Sequence, residues 1–115
     1  MNTPSVGDKI LVLKWDWLQL ILDRRKTVEI RGLPLRRGRY YLGFKKNIYG
    51  WVEFDDPQRI ANLREWNQLR SRHLVQRADL PYKKTCGLPI LRVERSSEPV
   101  TFFDPQGAVL IVRRS

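Results

Sequence analysis

Lys26, Glu29 and Arg31 stand in one short run, Arg24-Arg25-Lys26-Thr27-Val28-Glu29-Ile30-Arg31-Gly32, and carry groups able to do chemistry together. Lysine and arginine grip phosphate, arginine in bidentate fashion. A carboxylate accepts a hydrogen bond from an exocyclic base amine or a ribose hydroxyl. The run also alternates: Val28 and Ile30 are apolar, whereas Thr27, Glu29 and Arg31 are polar. Successive side chains of a strand point to opposite faces. Val28 and Ile30 therefore pack on a core. The other face presents a hydroxyl, a carboxylate and a guanidinium in a row, with Lys26 where the strand begins. A plainer reading stands beside this one. Glu29 forms a strand-surface ion pair with Lys26 or Arg31, worth about 0–1 kcal/mol if exposed.

The elements that must position this run follow from hydrophobic pattern. Lys9 to Lys14 contains Ile10-Leu11-Val12-Leu13, a continuous apolar run that reads as a central strand buried on both faces. Asp16 caps a short helix whose apolar side is Trp17, Leu18, Leu20, Ile21 and Leu22. Arg24 and Arg25 sit near its C-terminal end, where the dipole favours cations. Trp15, in the strand-to-helix turn, suits either a core anchor or a stacking platform. The second strand is Thr27 to Arg31, followed by a Gly- and Pro-punctuated loop to Gly38 in which Arg36 and Arg37 point outward. Arg39 to Phe44 and Tyr49 to Phe54 are the third and fourth strands, joined by a basic turn at Lys45-Lys46-Asn47. Asn62 with Glu65 forms a capping box for a helix from about Leu63 to Leu74. Leu88 to Val93 is a fifth strand, with Pro89 marking either a sheet edge or the strand's beginning. Ser96 to Pro99 is a loop, Val109 to Val112 the last strand, and Arg113 to Ser115 a basic tail. The pattern describes a small α+β domain of five or six strands and two helices.

At 115 residues the chain is one domain, 1–115, large enough for a core of its own. Its formal charge of +10 is uneven: residues 24–46 hold nine cations against Glu29 alone. Such clustering is the electrostatic footprint of a polyanion binder. Arg36, Arg37, Arg39, Lys45, Lys46 and Arg70 are the corresponding contact candidates, and a solvated surface kept for solubility is the bland alternative. Cys86 is the single cysteine, so no intramolecular disulfide forms and a reducing, cytoplasmic setting is expected. With one Cys and one His, His73, a Cys/His zinc site is implausible and Cys86 reads as a buried structural thiol. His73 reads as a core-edge residue or, less simply, a catalyst. No cofactor motif appears, since there is no phosphate-cradling Gly-rich loop. The polar stretch Met1 to Asp8 lacks the apolar centre of a signal peptide, and no run approaches membrane-spanning length.

Lys9 to Trp15, Leu20 to Leu22 and Arg25 to Arg31 together resemble the opening of ASCH domains, a branch of the PUA-like superfamily. Glu98 to Phe102 and Asp104 to Val109 are similar to that family's closing segment. The family usually has Gly where this chain has Arg24. It often has a histidine near His73, then a hydrophobic residue and a tyrosine, which Leu80 and Tyr82 supply here. The resemblance implies a curved sheet closed into a small β-barrel, helices over its open ends, and a cleft lined by Lys26, Glu29 and Arg31 with Trp15 at the rim.

Such a cleft would take one splayed-out nucleotide, the usual way single-stranded RNA is read. Binding of single-stranded or modified RNA is therefore the leading expectation. One enzymatic branch of the family removes an acyl group from modified cytidine with the equivalent of Lys26 and a threonine three residues on. That position is Glu29 here, a departure that argues against this amidohydrolase activity. Other branches are reported as RNA-binding or as metal-independent ribonucleases. For the latter, Lys26 and Glu29, with Arg31, Tyr82 and His73, would supply the base, acid and cation that cleavage needs. A basic module docking an acidic protein is the third reading.

Overall fold

The computed structural model describes residues 8–101 and 109–110. The N-terminal stretch, most of the closing segment (102–108) and the basic tail lie outside the described residues. The strands are β1 (Lys9–Val12), β2 (Val28–Arg31), β3 (Gly38–Phe44), β4 (Asn47–Phe54), β5 (Gln58–Arg59), β6 (Cys86–Thr101) and β7 (Val109–Leu110). The helices are α1 (Trp15–Leu22), α2 (Leu63–Gln68) and α3 (Arg70–His73). The strands join one mixed sheet in the order β2-β6-β4-β3-β1-β7, with β5 also on β6. The sheet curls into a half-barrel, the α+β architecture expected, with one more helix.

β1 is interior, parallel to both β3 and β7. Parallel strands are covered on both faces, which is why Ile10-Leu11-Val12-Leu13 is apolar without alternation. Leu11 and Leu13 enter the main core with Leu18, Ile21, Tyr40, Leu42, Val52, Phe54 and Leu88. Ile10 packs with Tyr41, Ile48 and Trp51 on the opposite side. A third cluster, Val28, Ile30, Ile60 and Trp66, lies under the short helices. Among the described residues no helix is long and apolar enough to cross a membrane.

Four local expectations change. Asp16 lies in the first turn of α1 and Lys14 takes the N-cap position without a side-chain bond, so Asp16 acts through the helix dipole instead of capping. β6 is central, not an edge: β2 pairs on one side of it and β4 on the other. Proline is tolerated there because the β4 ladder ends at the Phe54–Ile90 pair, just beyond a bulge at Leu91, so Pro89 pairs only with Val28 of β2 and its missing N–H leaves no β4 ladder bond unmade. Ser96 to Pro99 belongs to β6, as a wide irregularity between the Gly50–Arg95 and Ile48–Val100 pairs. Finally, the helix from Leu63 is capped by Asn62, whose Oδ1 accepts from Glu65 N–H at 2.9 Å, but it breaks at Leu69. In a continuous helix Trp66 and His73 would stand about 10 Å apart along the axis. The break lets their rings stack at 3.9 Å.

Candidate functional site

Lys26 is aimed by the way α1 ends. Arg24 N–H donates to Ile21 O and Arg25 N–H to Leu20 O, both at 3.0 Å, with Arg24 in the left-handed region at φ 61°. This is the Schellman pattern, in which that position is usually Gly. Lys26 N–H then also donates to Leu20 O at 3.1 Å, and the side chain turns into the protein. The ammonium donates to His73 O and lies 4.6 Å from the Trp17 ring centre. It is 3.6 Å from Glu29 Oε1, while Arg31 Nη1 is 3.6 Å from Glu29 Oε2.

The polar face of β2 does not meet water. All four residues of the strand are buried, Glu29 at 2% exposure. Val28 and Ile30 pack on Ile60 and Trp66, as their alternation requires. Glu29 pairs across the ladder with Leu88, a residue of the main core, and Arg31 with Cys86. The triplet is thus a buried charge cluster, and burial dominates its electrostatics. Desolvation pushes the Lys26 pKa below the ordinary lysine value. Glu29 opposes that shift, and Arg31 adds to it. Glu29 Oε2 is buried without a hydrogen-bond partner.

That carboxylate lines a cavity of about 370 Å³, within the roughly 300–1,000 Å³ range of small-molecule sites. Lys14 and Trp17 of the α1 end form one wall, and Lys26, Glu29 and Ile30 form the base. Val75, Gln76, Arg77, Pro81 and Tyr82 form the far wall. The far wall is a loop held from α3. Arg70 donates to Val75 O at 2.5 Å and Arg77 O at 2.7 Å, and Trp66 Nε1–H donates to Arg77 O at 2.9 Å. Val75 N–H donates to His73 Nδ1 at 2.9 Å, so that nitrogen carries no proton, and Nε2–H donates to Trp66 O at 3.0 Å. Tyr82 is fixed by the mutual bonds of its backbone with Thr85 Oγ1 at 3.0 and 3.2 Å.

The structure thus brings Lys26, Glu29 and Tyr82 to one cavity and sets Arg31 behind Glu29. Arg70 and His73 hold the far wall from behind, with both ring nitrogens of His73 engaged. Trp15 lies outside the cavity lining, packed at a tilt against Phe44 and edge-to-face against Tyr49. Arg36, Arg37, Arg39, Lys45 and Lys46 are exposed elsewhere. Arg37 faces Asp55 and Asp56 at 3.8 and 3.4 Å, and Arg39 covers the Trp51 ring at 3.9 Å. Sequence reasoning missed Lys14, Trp17 and the 75–77 wall. Lys14 and Trp17 are one helical turn apart at a helix start, a spacing that could have linked them. Thr27, just before β2, is exposed. Cys86 is buried with Sγ toward Lys84 O at 3.6 Å. Among the described residues no three His, Cys, Asp or Glu side chains cluster as a metal site would require.

No protein-family model and no curated protein matches this chain. Solved structures do. An ASCH protein from Zymomonas mobilis superposes with a TM-score of 0.66 at 15% identity, covering 87% of this chain and 85% of that one. A serine-to-alanine mutant of that protein gives the same values, and a tyrosine-to-phenylalanine mutant a TM-score of 0.65. The chain has the ASCH-domain fold, the PUA-like half-barrel that its opening motif implies.

Proposed function

We propose that this ASCH-fold chain binds single-stranded RNA by seating one unstacked nucleotide in the cavity beside β2. The orphaned Glu29 Oε2 carries this reading. Glu29 lines the cavity, and its Oε2 is buried without a hydrogen bond, 3.6 Å from Arg31 Nη1, so a ligand donor that reaches the carboxylate would relieve the cost of leaving it unmet. An exocyclic amine or a ribose hydroxyl is such a donor. The Trp17 and Tyr82 rings offer surfaces for a base, and Lys14 and Arg77 at the walls offer charge to the adjoining phosphates. The net charge of +10 supports a polyanionic ligand.

The test is a titration with labelled single-stranded RNA, duplex RNA and single-stranded DNA at two salt concentrations. Single-stranded RNA is expected to bind best, with affinity falling as salt rises. Glu29→Gln, which keeps shape but loses the charge, is expected to weaken binding in a protein that still melts cooperatively. Binding that ignores both salt and Glu29→Gln would overturn the reading.

A second reading has one specific observation in its favour. Burial lowers the Lys26 pKa, which brings a lysine closer to the range of a general base. Lys26 and Glu29 would then hydrolyse the bound RNA or nucleoside without a metal. The same samples on a denaturing gel decide: RNA shortened by the parent and left whole by Lys26→Met supports turnover, and RNA intact with both removes it.

A further inference from the structure

The tight turn between β3 and β4 is made by Lys45 and Lys46, at φ 46° and 64°. Hairpin turns with both central residues in the left-handed region favour Asn and Gly, because a side chain is crowded there. In their place this turn carries two consecutive exposed lysines at its tip. Lys45 Nζ lies 5.4 Å from the centre of the Phe44 ring. Trp15 packs against Phe44 at 5.2 Å and Tyr49 at 5.1 Å, yet keeps 40% of its surface exposed. Leu13 N–H donates to Gly43 O at 3.0 Å, which ties the start of α1 to this same corner. Lys14, next to Trp15, lines the cavity. One edge therefore runs from the cavity through Lys14 and Trp15 to Lys45 and Lys46. Asp16 is the acidic neighbour along it.

We propose that this edge is the path of the RNA beyond the bound nucleotide. An adjoining base stacks on Trp15, and the phosphates that follow meet Lys45 and Lys46. The proposal rests on the cavity reading above and adds to it the course of the strand beyond the seated nucleotide. An aromatic face followed by paired cations is the arrangement that single strands use and that duplexes, with their bases already stacked, cannot. An acidic peptide could meet the lysines but would leave Trp15 without a base to stack on and Glu29 Oε2 without a donor.

The test compares a mononucleotide with single-stranded RNA oligomers of up to about nine residues, within the site sizes of single-strand grooves. Affinity of the parent is expected to climb with length and then level off. Trp15→Ala is expected to cut the oligomer-to-mononucleotide affinity ratio about five- to 150-fold, the worth of one base–aromatic stack. A Lys45→Asn, Lys46→Gly double variant suits the turn and so keeps the fold. It is expected to lower the slope of log affinity against log salt by about 1.4, for two phosphates of a single strand. If length dependence and salt slope match the parent in both variants while Glu29→Gln still loses binding, the path is wrong and the cavity reading stands. If neither mononucleotide nor oligomer binds the parent, both fall.

Discussion

Lys26 Nζ lies 3.6 Å from Glu29 Oε1, inside ion-pairing distance and outside a good hydrogen bond, with the two side chains 1% and 2% exposed. The lysine pKa sits below its ordinary value because burial outweighs the attraction of the carboxylate. A buried lysine perturbed in this way beside a carboxylate, at the base of a cavity, is the kind of group found at functional sites.

The cost of breaking this cluster should depend on which member is removed. Glu29→Ala leaves Lys26 and Arg31 without the carboxylate that faces both, and should cost about 3–5 kcal/mol. Lys26→Met fills the space with an apolar chain and leaves Glu29 facing Arg31, so it should cost less, about 1–2 kcal/mol. Urea denaturation of the two variants measures the order. Equal costs would mean that Arg31 does not compensate Glu29.

Acid should weaken the fold through His73. The ring is buried and neutral, and its pKa is lowered by desolvation first, then by Lys26 and Arg70, against the pull of the Trp66 carbonyl. An unfolded histidine titrates near 6.5. Below that pH the unfolded chain holds a proton that the folded chain refuses. Stability is therefore fully present above about pH 6.5 and falls as pH drops toward the folded value, by at most about 1.4 kcal/mol per pH unit from this group. His73→Gln should flatten the stability profile between about pH 5 and 7. A parent profile already flat there would show that His73 is not held neutral.

Arg24 occupies a left-handed position where glycine carries no steric cost. Its guanidinium recovers part of that cost by donating to Val93 O at 3.1 Å in an exposed place. Arg24→Gly should therefore stabilise the protein, by about 0.5–1 kcal/mol. A melting temperature that falls in this variant would mean that the bond to Val93 outweighs the backbone strain.

Much of this was legible before any coordinates. The alternation of β2 put Val28 and Ile30 on a core, and the apolar run at Ile10 to Leu13 marked an interior strand. The unusual Arg24 stood out in the motif, and its φ of 61° gives the physical reason. The burial of Glu29 was not legible. Alternation assigns a residue to a face but says nothing about what covers that face, and here the cover comes from α1 and the distant 75–82 loop. Arg70 was likewise read as a surface cation because its partners are backbone carbonyls, which carry no sequence signal. Pro89 misled because where the β4 ladder ends, one residue beyond it, is set by register with β4, a non-local property.

Arg70 should act on the cavity through its far wall. Arg70→Ala removes charge-assisted bonds to Val75 O and Arg77 O, at a cost of about 1–2 kcal/mol for a partly exposed group. Amide exchange should accelerate across 75–82 while β4 stays protected, because only the loop loses its hold. Acceleration spread evenly over the sheet would assign Arg70 to global stability instead.

Gly32 offers a way to displace Tyr82 without touching it. A Cβ at Gly32 would sit 3.0 Å from Tyr82 Cδ1 and 3.1 Å from Cγ, closer than comfortable contact by a few tenths of an ångström. Tyr82 is half-buried and lines the cavity, so its ring has room to yield. Gly32→Ala should therefore cost less than about 1 kcal/mol in stability, since the strain is relieved by a small ring shift. Gly50→Ala is the contrasting case, because its Cβ would meet backbone, Glu94 O, at 2.3 Å, and nothing there can move cheaply. It should cost at least about 2–3 kcal/mol. If the Tyr82 ring is a wall for the bound base, RNA affinity should drop in Gly32→Ala although the fold is nearly unchanged. A Gly32→Ala protein that melts and binds like the parent would remove Tyr82 from the site.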